Sequence, residues 1–150
     1  MRSEDIRKII EEECEDYFLG TADLSIGDND IDDKYKSLIY LYPRSISIGI
    51  TLPYKINDLT IYNNNNNQFY NKTHRKLNYL TSYLSDLLED EGYKALAVPK
   101  DGRINRGIFI SLHNLAASRA DLGKIEDNMV ITPEVGQRVN WGTVITDAPL

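Results

Sequence analysis

Side chains able to do chemistry are few in this chain of 150 residues, and they lie far apart. There is one cysteine, Cys14, and there are two histidines, His74 and His113. One cysteine excludes an internal disulfide, a cysteine-based zinc site and an iron–sulfur cluster held by this chain alone. Two distant histidines and one cysteine do not supply a set of metal ligands either. No metal site is therefore predicted, no Ser/His/Asp or Cys/His arrangement is indicated, and the catalytic group stays unassigned.

The segment ADLGKIEDNMVITPEVG, residues 120–136, has the layout of a ligand-binding loop. A predicted helix ends at Leu122 and Gly123, a polar turn follows, residues 129–132 predict a short strand, and residues 133–136 turn again. A loop that approaches a ligand closely favours glycine, which allows positive φ and close backbone contact. This turn instead carries charged and amide side chains at Lys124, Glu126, Asp127 and Asn128. The segment is either a working site or the remains of one.

Four side chains elsewhere have both a functional and a structural interpretation. His113 could donate to a ligand, but a partly buried histidine hydrogen-bonded to the backbone is favoured. Arg138 could neutralise a phosphate or pair with Glu134. Trp141 could cover a ring, although core packing is favoured. Cys14 lies on a helical apolar stripe, which favours a small core residue over a reactive thiol.

The charge and the apolar pattern exclude several classes of partner. The net charge is −6, which argues against nucleic-acid binding, because that binding depends on neutralising phosphates. The longest apolar run, SISIGITL, is too short to span a bilayer, so no membrane partner is expected. The charged N-terminus MRSEDIRKII lacks the apolar region of a signal peptide, and a cytoplasmic location is expected.

The hydrophobic pattern predicts helices at residues 4–18, at 69–91 and around the sequence SLHNLAAS. Ser3 is the expected N-cap of the first helix and Gly92 the C′ residue of the second. Strands are predicted at residues 45–52, 93–98, 129–132 and 138–146, the first with one face in the core. Segments 20–33, 63–68 and 100–107 are predicted as polar loops, and 56–62 as a short helix or turn.

These elements together predict a fold class. Some connections between strands are too short for parallel crossovers. We therefore predict one domain of the α+β (mixed α/β) class, in which a single mixed, largely antiparallel sheet is flanked by helices.

Four stretches of the chain carry a resemblance to a known family. They are YPRSISIGITLP, HRKLNYLTSYLSDLLEDEGYKALAVP, LHNLAASRADLG and MVITPEVGQRVNWGTVITDAPL. Their order is similar to that of the cobalamin-binding domain in the epoxyqueuosine reductase and corrinoid reductive dehalogenase superfamily, with archaeal-type members the nearest. The last stretch is the most specific, because the family reads Ile-Thr-Pro-Glu-x-Gly-x-Arg-Val there and later Thr-Asp-x-Pro-Leu. The resemblance covers residues 42–150 and leaves residues 1–41 as a helical N-terminal part of the single domain.

The resemblance implies a fold related to the flavin-dependent nitroreductases and a corrinoid held at the sheet edge by loop backbone, usually with no protein ligand to cobalt. It also implies pairing of domains, so a homodimer is expected. It places the cofactor contacts at His113, Gly123, Thr132, Pro133, Glu134, Gly136, Arg138 and Thr143.

The chain departs from the family in its electron supply. Family enzymes continue into a cysteine-rich segment with two iron–sulfur clusters, and such cysteines are missing from these 150 residues. The expectation is a stand-alone or truncated corrinoid-binding-type domain, whose redox role needs a separate iron–sulfur or flavin electron donor. The family's catalytic acid cannot be matched: Asp101 and Tyr93 lie in the corresponding region, but a turn is favoured for Asp101.

The second departure lies in the glycine-rich loop of the family. Asp121 replaces its first glycine, Glu126 stands where another is expected, and one residue is missing before Met129. If both losses faced the phosphate of a cobalamin tail, the penalty would be roughly 2–6 kcal/mol. Alternatively the loop takes another path, with Gly123 only as the C′ residue of the preceding helix. Two other functions stay open: an interaction domain that has lost its ligand, and a nitroreductase-like protein that binds FMN.

Overall fold

Ten helices and strands are present in the computed structural model, which describes residues 1–26, 33–53, 64–100 and 106–150. In chain order they are α1 Ser3–Glu13, β1 Tyr17–Asp23, α2 Asp33–Leu41, β2 Arg44–Thr51, α3 Asn64–Asp90, β3 Ala95–Ala97, α4 Arg106–Arg119, β4 Lys124–Glu126, β5 Met129–Ile131 and β6 Val139–Thr146. The interpretations of residues 56–62, of residues 27–32 and of the turn at Asp101 lie outside the described residues, whereas residues 20–23 of the predicted loop 20–33 belong to β1.

The central sheet has the strand order β1-β2-β6-β3, and every neighbouring pair is antiparallel. Helices lie on both of its faces, with α3 against β6 and β3, and with α4 against β1, β2 and β6. The predicted α+β fold with a largely antiparallel sheet flanked by helices is therefore confirmed. Strands β4 and β5 form a further two-stranded sheet of their own.

Strand β2 was expected to bury one face, and it buries both. Its isoleucines, Ile46, Ile48 and Ile50, join the core beneath α1 and α3. There they meet a row of leucines from α3, namely Leu77, Leu80, Leu84 and Leu88. The alternate residues Ser45 and Ser47 are buried as well, on the face that α4 covers. The small side chains on that face suggested exposure to solvent, whereas helix α4 covers them.

The predicted first helix was too long at its C-terminal end. Helix α1 ends at Glu13, whose carbonyl accepts a 2.7 Å hydrogen bond from Lys76 Nζ. Tyr17 and Phe18, which continue the helical stripe by spacing, lie in β1 and pair with β2. The ladder of β1 and β2 outcompetes five more residues of helix, because β2 supplies hydrogen-bond partners along the whole of β1 and packs its side chains.

The cap of α1 and the environment of Cys14 can both be compared with the sequence. Arg2, rather than Ser3, is the N-cap, and its N–H donates to the Asp5 carboxylate at 3.0 Å.

Cys14 is 8% exposed and packs in the core, as predicted. Burial raises the pKa of its thiol, which makes a reactive thiolate unfavourable.

The other elements agree with the sequence in position more than in length. Helix α3 begins at Asn64, inside the polar run predicted as a loop, because that run contains no glycine or proline to stop a helix that packing stabilises. Gly92 is its C′ residue at φ +94°, as predicted. Strand β3 is only three residues long, while β5 and β6 confirm the last two predicted strands. Among the described residues, no helix is both long and apolar enough to cross a membrane.

Trp141 of β6 is a core residue, as favoured from the sequence. It is 6% exposed, and its ring lies 5.7 Å from that of Phe18 between centroids. A Cβ on Gly49, which faces it across the β2–β6 pair, would come within 2.7 Å of the indole. The ring therefore fills the space that the glycine leaves.

Candidate functional site

Helix α4 ends in a Schellman motif whose left-handed residue is an aspartate. The Asp121 N–H donates to Ser118 O at 3.0 Å, and the Leu122 N–H donates to Ala117 O at 3.1 Å. These are the two bonds of that motif, with Asp121 at C′. Asp121 accordingly has φ +61°, a conformation that glycine adopts more readily. The prediction that Gly123 is the C′ residue is therefore wrong, since the helix stops earlier.

The polar turn predicted after this helix is a β-hairpin. Lys124 pairs with Ile131, and Glu126 pairs with Met129, across β4 and β5. The two connecting residues, Asp127 and Asn128, have φ +51° and +63°, which is the pattern of a type I′ turn. Glu126, where the family has a glycine, lies in a strand and carries no positive-φ strain.

Gly123 is required here by close contact rather than by its dihedral angle. A Cβ at this position would lie 2.7 Å from the carbonyl oxygen of Ile131 and 2.7 Å from Val130 Cγ1. The chain leaving α4 therefore passes directly against β5. From the other side, Asn114 of α4 donates to Asn128 O at 2.9 Å, which fixes the tip of the hairpin to the helix.

The turn after β5 is organised by Thr132. Its hydroxyl donates to Gly136 O and accepts the Val135 N–H, both at 3.0 Å, and it is 3% exposed. Gly136 closes the turn at φ +64°. Arg138 donates through its backbone and Nε to Val135 O, and within the described residues it makes no ion pair with Glu134.

A cleft of about 320 Å³ opens between the end of α4 and this hairpin. We call it the hairpin cleft, and it is lined by Asp121, Gly123, Lys124, Glu126, Ile131, Thr132 and Pro133. Three residues predicted to bind the cofactor thus come together here, namely Gly123, Thr132 and Pro133. Glu134, Gly136 and Arg138 follow in the adjoining turn.

His113 and Thr143, the remaining predicted contacts, do not line the hairpin cleft. His113 is 4% exposed, with Nδ1 at 2.7 Å from Thr143 Oγ1 and Nε2 at 3.1 Å from Pro99 O. Because a carbonyl oxygen only accepts, Nε2 carries the proton and Nδ1 accepts from the hydroxyl. Burial first, and then the charge of Lys100, lowers the pKa of His113 to about 3. This imidazole is neutral and ties α4 to β6.

The electrostatics of the hairpin cleft are mixed, with negative charge in excess. Two carboxylates, Asp121 and Glu126, line it beside one ammonium group, Lys124, and all three side chains are exposed. Tyr93, considered as a possible acid, packs partly buried against the core below α3. Across the described part of the chain, no three His, Cys, Asp or Glu side chains are grouped as metal ligands.

Two features were not predicted, one in the hairpin and one in β2, and the sequence carries a signal for the first. The run KIEDNMVI contains a turn-forming Asp-Asn pair between two short strands, which is a hairpin signal. Its charged residues were instead interpreted as a polar turn in a ligand-binding loop. The buried hydroxyls of Ser45 and Ser47 left only the alternation of SISI, which does not distinguish a solvent face from a helix-covered face.

Comparison with known proteins yields a likeness in fold. No protein-family profile and no curated protein matches the chain. Among solved structures, the chain is similar in fold to a reductase. That structure is epoxyqueuosine reductase from Bacillus subtilis, with a TM-score of 0.56 and 17% sequence identity over 98% of this chain. The chain spans 45% of the length of that protein, and at this identity the likeness establishes the fold alone.

Proposed function

We propose that the chain is a corrinoid-binding-type domain related to epoxyqueuosine reductase and the reductive dehalogenases, with the hairpin cleft as its binding site. The observation that carries the proposal is positional. The cleft lies at the loop to which the family resemblance assigns the corrinoid, in a chain whose fold is similar to epoxyqueuosine reductase. Any redox role would draw electrons from an iron–sulfur or flavin group outside these 150 residues.

The lining of the cleft supports contact with the edge of a macrocycle through backbone and one rigid ring. Gly123 contributes main chain to this lining, with its Cβ position closed off by β5, and Pro133 offers an exposed, rigid ring. The Thr132 hydroxyl is hydrogen-bonded within the turn that ends at Gly136, so Pro133 is held in place without a ligand. Gly123, Thr132, Pro133 and the turn to Gly136 would therefore hold the group, and when bound it would supply a redox-active cobalt centre.

The charge of the cleft favours a ligand without a phosphate. Two exposed carboxylates at about 4 Å from a phosphate would together cost about 2 kcal/mol in water, or about 30-fold in affinity. Lys124 offsets part of this. We therefore expect cobinamide, which lacks the phosphate-bearing nucleotide tail, to bind more tightly than cobalamin.

The second candidate is an interaction domain that has lost the ligand. It is favoured by the hairpin itself. Strands β4 and β5 pair along their length, and the positive φ angles of Asp127 and Asn128 belong to the turn between them, so no bound group is needed to explain the loop. In this reading the acidic turn at Asp127 is a solvated surface feature.

Gel filtration with added corrinoid separates the two candidates. The purified chain is mixed with hydroxocobalamin or cobinamide and passed over a column while visible absorbance is recorded. Coelution of corrin absorbance with protein supports the proposal, and its absence with both ligands supports the interaction domain. A yellow protein as purified would instead indicate a bound flavin.

A further inference from the structure

Three buried hydroxyl groups lie side by side on the face of the sheet that α4 covers. We call them the hydroxyl row: Ser45 and Ser47 of β2, and Thr143 of β6. Ser47 is directly opposite Thr143 in the antiparallel register, and Ser45 is the next residue on the same face of β2. The intervening Ile46 belongs to the core beneath α3, so the serines face the other side.

The hydroxyl row is sealed from bulk solvent. Ser45, Ser47 and Thr143 are 0%, 1% and 0% exposed. They lie between two apolar clusters, one around Leu112 and Ile145 and the other around Trp141. A buried hydroxyl without a partner loses its hydration with no compensation, so native proteins rarely leave one unpaired.

Protein atoms satisfy only part of this row. Within the described residues, the Oγ atoms of Ser45 and Ser47 form no hydrogen bond with another protein atom. Thr143 donates its proton to His113 Nδ1, because Nε2 is the protonated nitrogen, and it keeps a lone pair free to accept. Two hydroxyls that need partners therefore adjoin a third that can accept one more bond.

Apart from His113, the buried side chains in the described part of α4 are apolar. Its buried residues toward the core include Ala116 and Ala117, together with Leu112. Alanine and serine are both short, so little side-chain volume from either element fills the layer beside Leu112 and His113. A site that is polar, enclosed and supplied with two to four partners is what a buried water molecule requires.

We propose that the hydroxyl row binds a long-lived water molecule between α4 and strands β2 and β6. The water accepts from the Ser47 hydroxyl and donates to Thr143 Oγ1 and Ser45 Oγ, which gives it about three hydrogen bonds, the usual number. It extends the chain of bonds from Pro99 O through His113 to β2. His113 and Thr143 then serve a hydrated contact inside the core, separate from the hairpin cleft.

Water–protein NOE spectroscopy on the folded chain tests this directly. A cross-peak is expected from a slowly exchanging water to the Thr143 methyl and the Ser47 β-protons. Its NOE should have the sign given by a water molecule that tumbles together with the protein. It should be lost in the Ser45→Ala/Ser47→Ala double variant. It should persist in the matched control Ser82→Ala, where the serine is exposed on α3.

Two results would overturn the proposal. One is the absence of that cross-peak in the wild-type protein, which requires no variant to fold. The other is a cross-peak of unchanged intensity in a folded double variant, which would place the water elsewhere.

Discussion

His113 keeps a titratable side chain neutral inside the core, which makes stability depend on pH. Its pKa is about 3 in the folded chain, against an ordinary value of 6.5. As pH falls below 6.5, His113 is therefore protonated in the unfolded chain but stays neutral in the folded chain, and folding becomes less favourable. The loss is at most about 1.4 kcal/mol per pH unit and continues until about pH 3.

The variant His113→Gln should remove this dependence, because glutamine can still donate to Pro99 O and accept from Thr143 without titrating. Urea unfolding at pH 7 and pH 5 measures how the free energy of unfolding changes with pH. The wild-type chain should lose more unfolding free energy between these two values than the variant does. Equal losses would show that His113 already titrates normally in the folded chain.

Asp121 holds a backbone conformation that suits glycine better. We predict that Asp121→Gly raises the free energy of unfolding by about 1 kcal/mol, because it relieves the left-handed strain at the C′ position of α4. The matched control is Gly92→Ala at the C′ position of α3, where a Cβ meets no atom within 4 Å. It should lower stability by a similar amount through strain alone. Denaturant unfolding compares both, and an unchanged or lower stability of Asp121→Gly would contradict the assignment.

The β4–β5 hairpin depends on how closely the chain leaving α4 approaches it. Gly123→Ala would place a Cβ 2.7 Å from Ile131 O, so the hairpin must move away from the helix. We expect a loss of about 1–3 kcal/mol, the range for forced overpacking. Lys124→Ala, an exposed neighbour, should change stability by less than about 0.5 kcal/mol. Similar values for the two variants would mean that the close contact is absent.

Sequence patterns identified the buried elements better than those at the margin of the sheet. Strands β2 and β6 were predicted because their apolar residues alternate or run together between turn residues. Strand β1 was missed, since Tyr17 and Phe18 also fit the helical stripe of α1 and only pairing with β2 decides between them. Strand β4 was missed because its exposed residues carry no apolar pattern and its register is fixed by the turn that follows.

The candidate site shows the same division between local and tertiary information. The motif around Thr132 and Pro133 marked the correct segment, and these residues do line the hairpin cleft. The same motif-based reasoning grouped His113 with them. Its burial against Thr143 follows from how α4 lies on β6, which the sequence does not encode locally.

Association of the whole molecule stays a prediction. The family resemblance implies pairing of domains, and we expect a homodimer formed through apolar helix faces. Light scattering coupled to gel filtration should give about twice the chain mass of 17.2 kDa. A mass of one chain over the whole concentration range would contradict the expectation. It would leave the fold unaffected, since the described residues of one chain already form three hydrophobic clusters.

A visible-absorption titration with cobinamide tests most directly whether the hairpin cleft binds a corrinoid. A saturable shift of the corrin bands is expected at one ligand per chain. The shift should weaken in Pro133→Asp, which adds a carboxylate inside the cleft, and should be unchanged in Ser82→Asp on α3. Corrin bands that stay unchanged at every protein concentration, with cobinamide and with hydroxocobalamin, would contradict the claim.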